Sequence, residues 1–261
     1  MTVALNFDPS FPPLLTSRPV VPPIDPMEAA VEAANRGEAE AGDLFWSCDT
    51  TEISCAVVLE PDVSRPRAQE MLFVAMTAMA DAVGALCPPE LAITWRWPHA
   101  VYANGARLGQ ARMIVSEDDD ENGSPLWMAV ALRLALTPTD AAEPGKTPDR
   151  TTLWDEGAVE LEAVPALESL SRHFLTWVHR WEVDGFKPVH EAWLFRCDGY
   201  REEVAVATAD GDLQGTFTGL DESGNLLLRE GGEGATVRIL NVADHLSEDR
   251  TARPLAPVTE R

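Results

Sequence analysis

The pattern of side chains changes near residue 198, and this change most constrains the fold. Over residues 199–246, apolar and polar residues alternate at period two, and turns such as "DG", "DESGN" and "EGGEG" interrupt the alternation. This pattern predicts strands with one buried face. The turns are too short for helical crossovers, so the strands must be antiparallel neighbours. We therefore expect a small SH3-like β-barrel at 199–246, followed by a polar tail at 247–261.

Residues 27–198 mix helical and strand-like patterns. The segments with a buried apolar face are two strands within 43–61, a helix within 64–87, a strand, turn and strand at 93–115, a strand at 125–136 and helical sequence at 157–186. The last segment is either one long helix or two helices that divide near Pro165. Residues 1–26 are rich in proline and predict an extended arm on a core. This order predicts an α+β fold with a mixed sheet.

The first helix has recognisable end signals. Asp25 is a favourable N-cap residue, and Pro26 is favourable at the first helical position. Either Gly37 or Gly42 is suited to end the helix, because glycine adopts the left-handed conformation found after many helices.

The charge of the chain limits its partners. Acidic residues outnumber basic residues by 43 to 20, and the net charge is −23. Phosphate backbones and anionic membrane surfaces would repel such a chain, so neither nucleic acid nor membrane is an expected partner. No leader-like or bilayer-spanning segment is predicted. The four cysteines lack metal-type spacing, which predicts a reducing cytoplasmic setting and no metal site.

Four segments resemble biotin protein ligases, and they occur in the order found in that family. "WPHAVYANGARLGQ" resembles the W-P-N-D signature with its lysine-bearing hairpin and Gly-rich exit, and "GTFTGLDESGNLLLRE" resembles the small C-terminal barrel. "FLTWVHRWEVDGFKPVHEAW" is similar to the helix and connector that precede the barrel. "GDLFWSCDTTEISCAVVLEPD" is similar to the strands around a Gly/Arg-rich loop. The chain thus resembles the biotin/lipoate protein ligase superfamily over most of residues 27–246.

The resemblance implies a ligase-like catalytic domain at 27–198 and a small β-barrel domain at 199–246. Members of the superfamily use ATP and Mg²⁺ to convert a carboxylic acid, such as biotin or lipoate, into an acyl-adenylate. They then transfer the acyl group to a lysine of a biotinyl or lipoyl carrier domain. The chemistry needs cations, because the attacking carboxylate and the α-phosphate are both negative.

The matching positions depart from the family pattern. The W-P-N-D positions hold Trp97, Pro98, His99 and Ala100. Arg107 stands at the lysine position, and Gly109 and Gln110 stand at the Gly-Gly exit. "SCDTTEI" replaces the Gly/Arg-rich loop. The resemblance implies that Arg107 is the catalytic cation and that the substrate-binding residues are Trp97, His99, Gly109, Gln110 and Cys48.

Each site residue also has a structural interpretation. Arg107 is either a carboxylate clamp or a solvated cation of the hairpin, and His99 is either a site group or a turn residue. Trp97 either packs in the core with Trp95 or forms a wall of an acyl pocket. Cys48 is either a buried thiol or an acyl-accepting nucleophile, although no lysine accompanies it. The acidic run at 117–121 is either a solvated turn or a Mg²⁺ site.

Three functions are compatible with these residues. The first is a divergent ligase or acyltransferase for biotin, lipoate or a related acid. The second is a catalytically impaired protein that binds a small carboxylic acid or a carrier domain. The third is a structural partner that docks through its small β domain.

Overall fold

The computed structural model describes residues 9–138, 149–231, 236–246 and 251–255. Seven strands form a mixed sheet in the order β1-β2-β3-β7-β6-β5-β4, where β1 is Thr16–Val20, β2 Asp43–Ser47, β3 Glu52–Leu59, β4 Ile93–Arg96, β5 Ala100–Ala103, β6 Ala106–Val115 and β7 Met128–Ala135. The helices are α1 Pro26–Asn35, α2 Arg65–Ala68, α3 Met71–Leu86, α4 Ala163–Asp184 and α5 Lys187–Phe195. This arrangement confirms the predicted α+β fold.

The C-terminal strands form a second, antiparallel sheet in the order β11-β10-β9-β8-β12. Its strands are β8 Glu203–Thr208, β9 Gly211–Leu220, β10 Leu226–Arg229, β11 Val237–Leu240 and β12 Ala252–Pro254. β12 lies within the predicted polar tail, and Ala252 is fully buried. The backbone N–H of Ala252 donates to the Trp97 carbonyl at 2.7 Å. Part of the predicted polar tail is therefore ordered structure, because residues 252–254 pair with β8 and Ala252 contacts the larger domain.

The large sheet separates two apolar layers. Its helical face packs against α3 and α4, and its other face, the α1 face, packs against α1. Side chains alternate between the faces along each strand, as the pleat requires. The helical face includes Cys55, Val57, Val130 and Leu132, whereas the α1 face includes Ala56, Val58, Ala129 and Ala131.

The ends of α1 follow the predicted signals. The Asp25 side chain accepts from the backbone N–H groups of Met27 at 2.8 Å and Glu28 at 3.3 Å. Gly37, with φ of 67°, follows the helix, so Gly37 rather than Gly42 ends it. These interactions satisfy N–H groups at the start of α1 that have no partner within the helix.

The proline-rich arm contributes a strand to the sheet. Thr16–Val20 pairs in parallel with Asp43–Ser47 and forms an edge of the sheet. Residues 1–8 of the predicted arm lie outside the described residues.

The long helical segment is one helix rather than two. α4 begins at Ala163, so Pro165 lies in its first turn. Proline is tolerated there because the first N–H groups of a helix have no partner within the helix.

The stretch Arg65–Leu86 is long and apolar enough to cross a bilayer by length and composition. The sequence analysis predicts no such stretch. In the structure, 72% of its most apolar 18-residue window is buried inside the protein, so its apolar side chains form core contacts.

Candidate active site

A β-bulge in the β5–β6 hairpin places Arg107 and Gln110 on the same face. Val101 pairs with Gly109, and Tyr102 pairs with Arg107, so Leu108 is an extra residue in β6. Without a bulge, residues three apart on a strand point to opposite faces. Here the Arg107 Nη2 donates to the Gln110 Oε1 at 3.0 Å. The bulge therefore brings two of the predicted site residues, Arg107 and Gln110, into contact.

Gly109 is required by a close backbone approach. A Cβ atom at this position would lie 2.0 Å from the Arg133 carbonyl oxygen and 2.9 Å from the Leu134 Cδ2. Only glycine fits between β6 and β7 without a shift of the backbone. Gly109 thus contributes to the site by allowing β6 and β7 to lie close together next to the bulge.

The Arg107 backbone is held from the other side by residues 149–151. The Arg107 N–H donates to the Asp149 carbonyl at 2.8 Å, and the Thr151 N–H donates to the Arg107 carbonyl at 3.0 Å. These two bonds fix the Arg107 backbone, so its half-buried side chain starts from a defined point.

A polar cleft continues from this hairpin across β7 and β3 on the α1 face. Gln110 lies opposite Arg133, and Arg133 lies opposite Ser54, so these side chains form one row. Arg112 is in the next row, opposite Ala131. The cleft is shallow, encloses about 10 Å³ and is lined by Asp25, Met27, Ser54, Gln110, Arg112, Ala131, Leu132 and Arg133.

Carboxylates hold two of the cleft arginines. The Arg112 Nη1 lies 3.3 Å from each carboxylate oxygen of Asp25, which also caps α1. The Arg133 Nε donates to the Glu52 Oε2 at 2.7 Å. Both ion pairs are partly exposed, so each contributes little net stability to the fold. The cleft therefore combines oriented guanidinium groups with exposure to solvent.

Trp97 and His99 lie away from the cleft. Trp97 is fully buried, and its indole Nε1 donates to the Gly224 carbonyl of the C-terminal domain at 2.9 Å. Its ring lies 4.9 Å from the His245 ring. His99 is 1% exposed, and its carbonyl accepts from the Ala111 N–H at 2.9 Å. The structure thus places Trp97 in the contact between the two sheets, and neither residue lines the cleft.

Cys48 lies in the β2–β3 turn and packs against the core of the helical face. Burial raises the pKa of the Cys48 thiol above its ordinary value. The neighbouring Asp49 accepts at 2.7 Å from both the backbone N–H and the hydroxyl of Thr51. The turn at the position of the family's Gly/Arg-rich loop is thus a short turn closed by an acid, and its thiol is protonated at neutral pH.

The acidic run at 117–121 forms a turn that satisfies its own carboxylate. The Asp120 Oδ1 accepts from the N–H groups of Asn122 at 2.8 Å and Ser124 at 2.9 Å. These backbone donors lower the pKa of Asp120. Among the described residues, no group of three or more His, Cys, Asp or Glu side chains is arranged to hold a metal ion.

Comparison with known proteins identifies the family. The model of the biotin/lipoate A/B protein ligase family matches residues 11–195, and the model of the biotin protein ligase C-terminal domain matches residues 202–244. The chain belongs to the biotin/lipoate A/B protein ligase family. The resemblance predicted from the sequence is confirmed.

Several relatives of this ligase family member cover most of the chain. A biotin–[acetyl-CoA-carboxylase] ligase of Paracoccus denitrificans is 30% identical over 186 residues, which are 70% of this chain and 76% of the relative. The structure of a biotin protein ligase-like protein of unknown function from Silicibacter sp. tm1040 is 36% identical, with a TM-score of 0.77 over 89% of this chain and 96% of that chain. The Aquifex aeolicus biotin protein ligase, solved with biotin and ATP, is 16% identical with a TM-score of 0.69 over 92% of this chain and 99% of that chain, and shares the fold.

The sequence predicted Gln110 and the adjoining Arg107 and Gly109, but not the other residues that line the cleft. Arg112 follows Gln110 by two positions, so strand alternation could have placed both on one face. Arg133 is the one charge in the apolar run "WMAVALRLAL", which was a further signal. Asp25 was read only as a helix cap, because nothing local connects it to a strand 87 residues away.

Proposed function

We propose that this protein binds a small carboxylic acid in the arginine-lined cleft and that Arg107 is the principal carboxylate contact. The observation that carries the proposal is the Arg107–Gln110 pair at the hairpin position where the family has its lysine. Gln110 is neutral, and the ion pairs among the described residues do not include Arg107. We propose that the positive charge of Arg107 contacts the carboxylate of the ligand.

The geometry suits a carboxylate. A guanidinium group is planar, remains charged at all relevant pH values and donates two parallel N–H bonds to a carboxylate. The hydrogen bond to Gln110 uses one donor and orients the plane. Backbone bonds to residues 149 and 151 hold the residue in place. Less conformational entropy is lost on binding when the donor is already oriented.

The residues present do not fit the phosphates of ATP at the expected loop. The β2–β3 turn places Asp49 where the family's Gly/Arg-rich loop supplies positive charge, and an acid repels phosphate. We therefore propose binding of the acid without efficient acyl-adenylate formation. Loss of one preorganised donor raises a barrier by about 2.7–4 kcal/mol, and the loss of a whole loop raises it further.

An active ligase is the second candidate, and a specific observation favours it. The chain is 30% identical to the Paracoccus ligase over most of both chains, and Arg107 retains a positive charge in the hairpin. In that case the chain would use Mg-ATP to activate biotin or lipoate, and its partner would be a biotinyl or lipoyl carrier domain.

A binding panel separates the candidates. Isothermal titration calorimetry would use biotin, lipoate, octanoate and short dicarboxylates, each with and without Mg-ATP, together with an assay of pyrophosphate release. We expect at least one acid to bind without ATP, and we expect no acid-dependent pyrophosphate. Acid-dependent pyrophosphate release would establish the ligase instead.

Two variants test the role of Arg107. Arg107→Ala should weaken binding of that acid by about tenfold or more, because a hydrogen bond to a charged group is lost. Arg238→Ala removes an arginine from a different ion pair, with Glu230 on the C-terminal sheet, and should bind as the wild type does. If no acid in the panel binds, or if Arg107→Ala binds equally well, the proposal is wrong.

A further inference from the structure

We infer that a groove between the helical layer and the C-terminal domain binds a small organic amine, whose ammonium group would pair with the buried carboxylate of Glu70. The groove has a volume of about 550 Å³, whereas the arginine-lined cleft encloses about 10 Å³. Ligand sites commonly have volumes of about 300–1,000 Å³ and lie where domains meet. None of the residues that line the groove lines the cleft, so the inference is independent of the proposed function.

Three parts of the fold form the walls of the groove. The α2–α3 junction contributes Arg67 and Glu70, the α4–α5 junction contributes residues 184–187, and the end of β9 with the turn after it contributes residues 220–222. The His190 Nε2 lies 3.2 Å from the backbone carbonyl oxygen of residue 220 and links the last two walls. A ligand in the groove would therefore contact both domains.

The buried carboxylate of Glu70 is the feature that points to a cationic ligand. Glu70 is 6% exposed, and its Oε2 accepts from the indole Nε1 of Trp181 at 2.5 Å. Within the part of the chain that the structure describes, neither a hydrogen bond nor an ion pair involves the other oxygen, Oε1. Because Oε1 is not one of the fully enclosed polar atoms either, it opens into the groove.

Burial makes the ionised form of Glu70 unfavourable. Burial raises the pKa of Glu70, and the Trp181 indole N–H and the nearby Arg67 offset only part of this increase. A buried carboxylate costs free energy unless a positive charge and hydrogen-bond donors compensate it. An ammonium group supplies both, since it carries a positive charge and three N–H donors. An amine at Oε1 would therefore stabilise the ionised carboxylate.

The basic side chains of the groove do not pair with Glu70. The Arg67 guanidinium lies 5.1 Å from the centre of the Trp181 ring, which is a cation–π contact. Lys187 is 83% exposed and lies 4.0 Å from Glu191 on its own helix. Both cations thus have contacts outside the floor of the groove, which leaves the Glu70 carboxylate to a ligand.

The charge and the apolar surface of the lining favour an organic amine over a metal ion. The four carboxylates of the lining are those of Glu70, Asp184, Asp221 and Glu222. Among the described residues, no group of three or more His, Cys, Asp or Glu side chains is arranged to hold a metal ion. The net charge of −23 attracts cations from a distance. Phe186 and Leu220 provide apolar contacts for the carbon chain of an amine.

Calorimetry with the full chain tests the inference. The probes are butylamine and putrescine, and butanol is the uncharged control of similar size. We expect at least one of the amines to bind and butanol not to bind. Arg107→Ala should bind the amine as the wild type does, because Arg107 does not line the groove. The inference is overturned if neither amine binds, or if butanol binds as tightly as butylamine.

Two variants with the same change of charge separate a specific contact from general attraction. Glu70→Gln should weaken amine binding by about tenfold or more, because the charge is lost while an amide oxygen still accepts from Trp181. Glu160→Gln removes a carboxylate that is exposed and outside the groove, and should bind as the wild type does. Equal weakening in both variants would show attraction to the net charge alone and would overturn the inference.

A third variant serves if Glu70→Gln fails to fold by circular dichroism. Glu222 is exposed on the opposite wall, so Glu222→Gln leaves the buried contacts of the protein intact. It should weaken amine binding by about two- to fivefold, which is the effect expected of an exposed charge pair. Wild-type affinity in Glu222→Gln would then overturn the inference.

A nuclear magnetic resonance titration locates the bound amine. The Trp181 indole N–H donates to Glu70, so an amine on this carboxylate should shift the Trp181 indole resonance. Trp154 is 46% exposed and does not line the groove, so its indole resonance should not shift. Trp181→Phe and Trp154→Phe assign the two resonances. An unshifted Trp181 resonance at a saturating amine concentration would place the amine elsewhere and overturn the inference.

Discussion

The two faces of the large sheet use the same strands for opposite purposes. On β7, Leu132 is 5% exposed and packs in the core of the helical face, whereas the adjacent Arg133 lies on the α1 face with its side chain 56% exposed. The helical face is covered by α3 and α4, and α1 covers only part of the other face. The comparison teaches that one well-buried face is enough to hold the strands, which leaves the other face available for charged side chains.

The largest expected effect separates stability from binding on one strand. Leu132→Ala should lower the free energy of unfolding by about 2–5 kcal/mol, because it removes buried methyl groups and leaves a cavity. Arg133→Ala should lower it by less than about 1 kcal/mol, because its ion pair with Glu52 is partly exposed. Urea unfolding measures both. Equal losses for the two variants would contradict the division between the faces.

The second effect concerns Gly109, which lies at the bulge of β6 and packs against the backbone of β7. Gly109→Ala should destabilise the protein by about 1–3 kcal/mol and weaken acid binding, because the new Cβ would meet the Arg133 carbonyl. Gly84→Ala in α3 is the matched control, since no atom lies within 4 Å of its Cβ position. Alanine there should stabilise the helix by up to about 1 kcal/mol. Thermal unfolding of both variants would show opposite shifts, and a neutral Gly109→Ala would refute the close approach.

The third effect is a pH dependence on the helical face. Burial raises the pKa of the Cys55 thiol from 9.0 to about 12. The unfolded chain therefore releases this proton first, so the stability that the neutral thiol contributes is full below pH 9 and is lost as the pH rises towards 12. Between pH 8 and pH 10, the free energy of unfolding of the wild type should fall by about 1 kcal/mol more than that of Cys55→Ala. Urea unfolding at both pH values would measure this difference, and a constant difference would mean that Cys55 is accessible to water.

The smallest effect is expected at Cys48. Cys48→Ser should change acid binding by less than about twofold, because the residue packs on the helical face and burial raises its pKa. Mass spectrometry after incubation with an activated acyl thioester should find no acyl group on this residue. An acyl group on Cys48 that is absent from Cys48→Ser would instead support an acyl-cysteine mechanism.

The sequence was informative where the signal is local. Asp25 and Gly37 mark the ends of α1, period-two alternation gave the C-terminal strands, and the motifs around Arg107 identified the hairpin. It was less informative where partners are distant in the chain. Ala252 was read as part of a polar tail because three residues carry too weak a pattern to reveal pairing with β8. The sequence leaves Trp97 either in the core or in a pocket wall, because nothing local shows its contact with Gly224.

The sequence by itself determined the family, the α+β order of elements and the residue type at the key hairpin position, since these depend on neighbouring residues and short motifs. Only the tertiary structure decided which residues meet. The bulge at Leu108 brought Arg107 beside Gln110, and strand register brought Arg133 and Ser54 into the same row. A one-residue change in register moves every side chain to the other face, so the composition of the site depends on pairing that no short segment encodes.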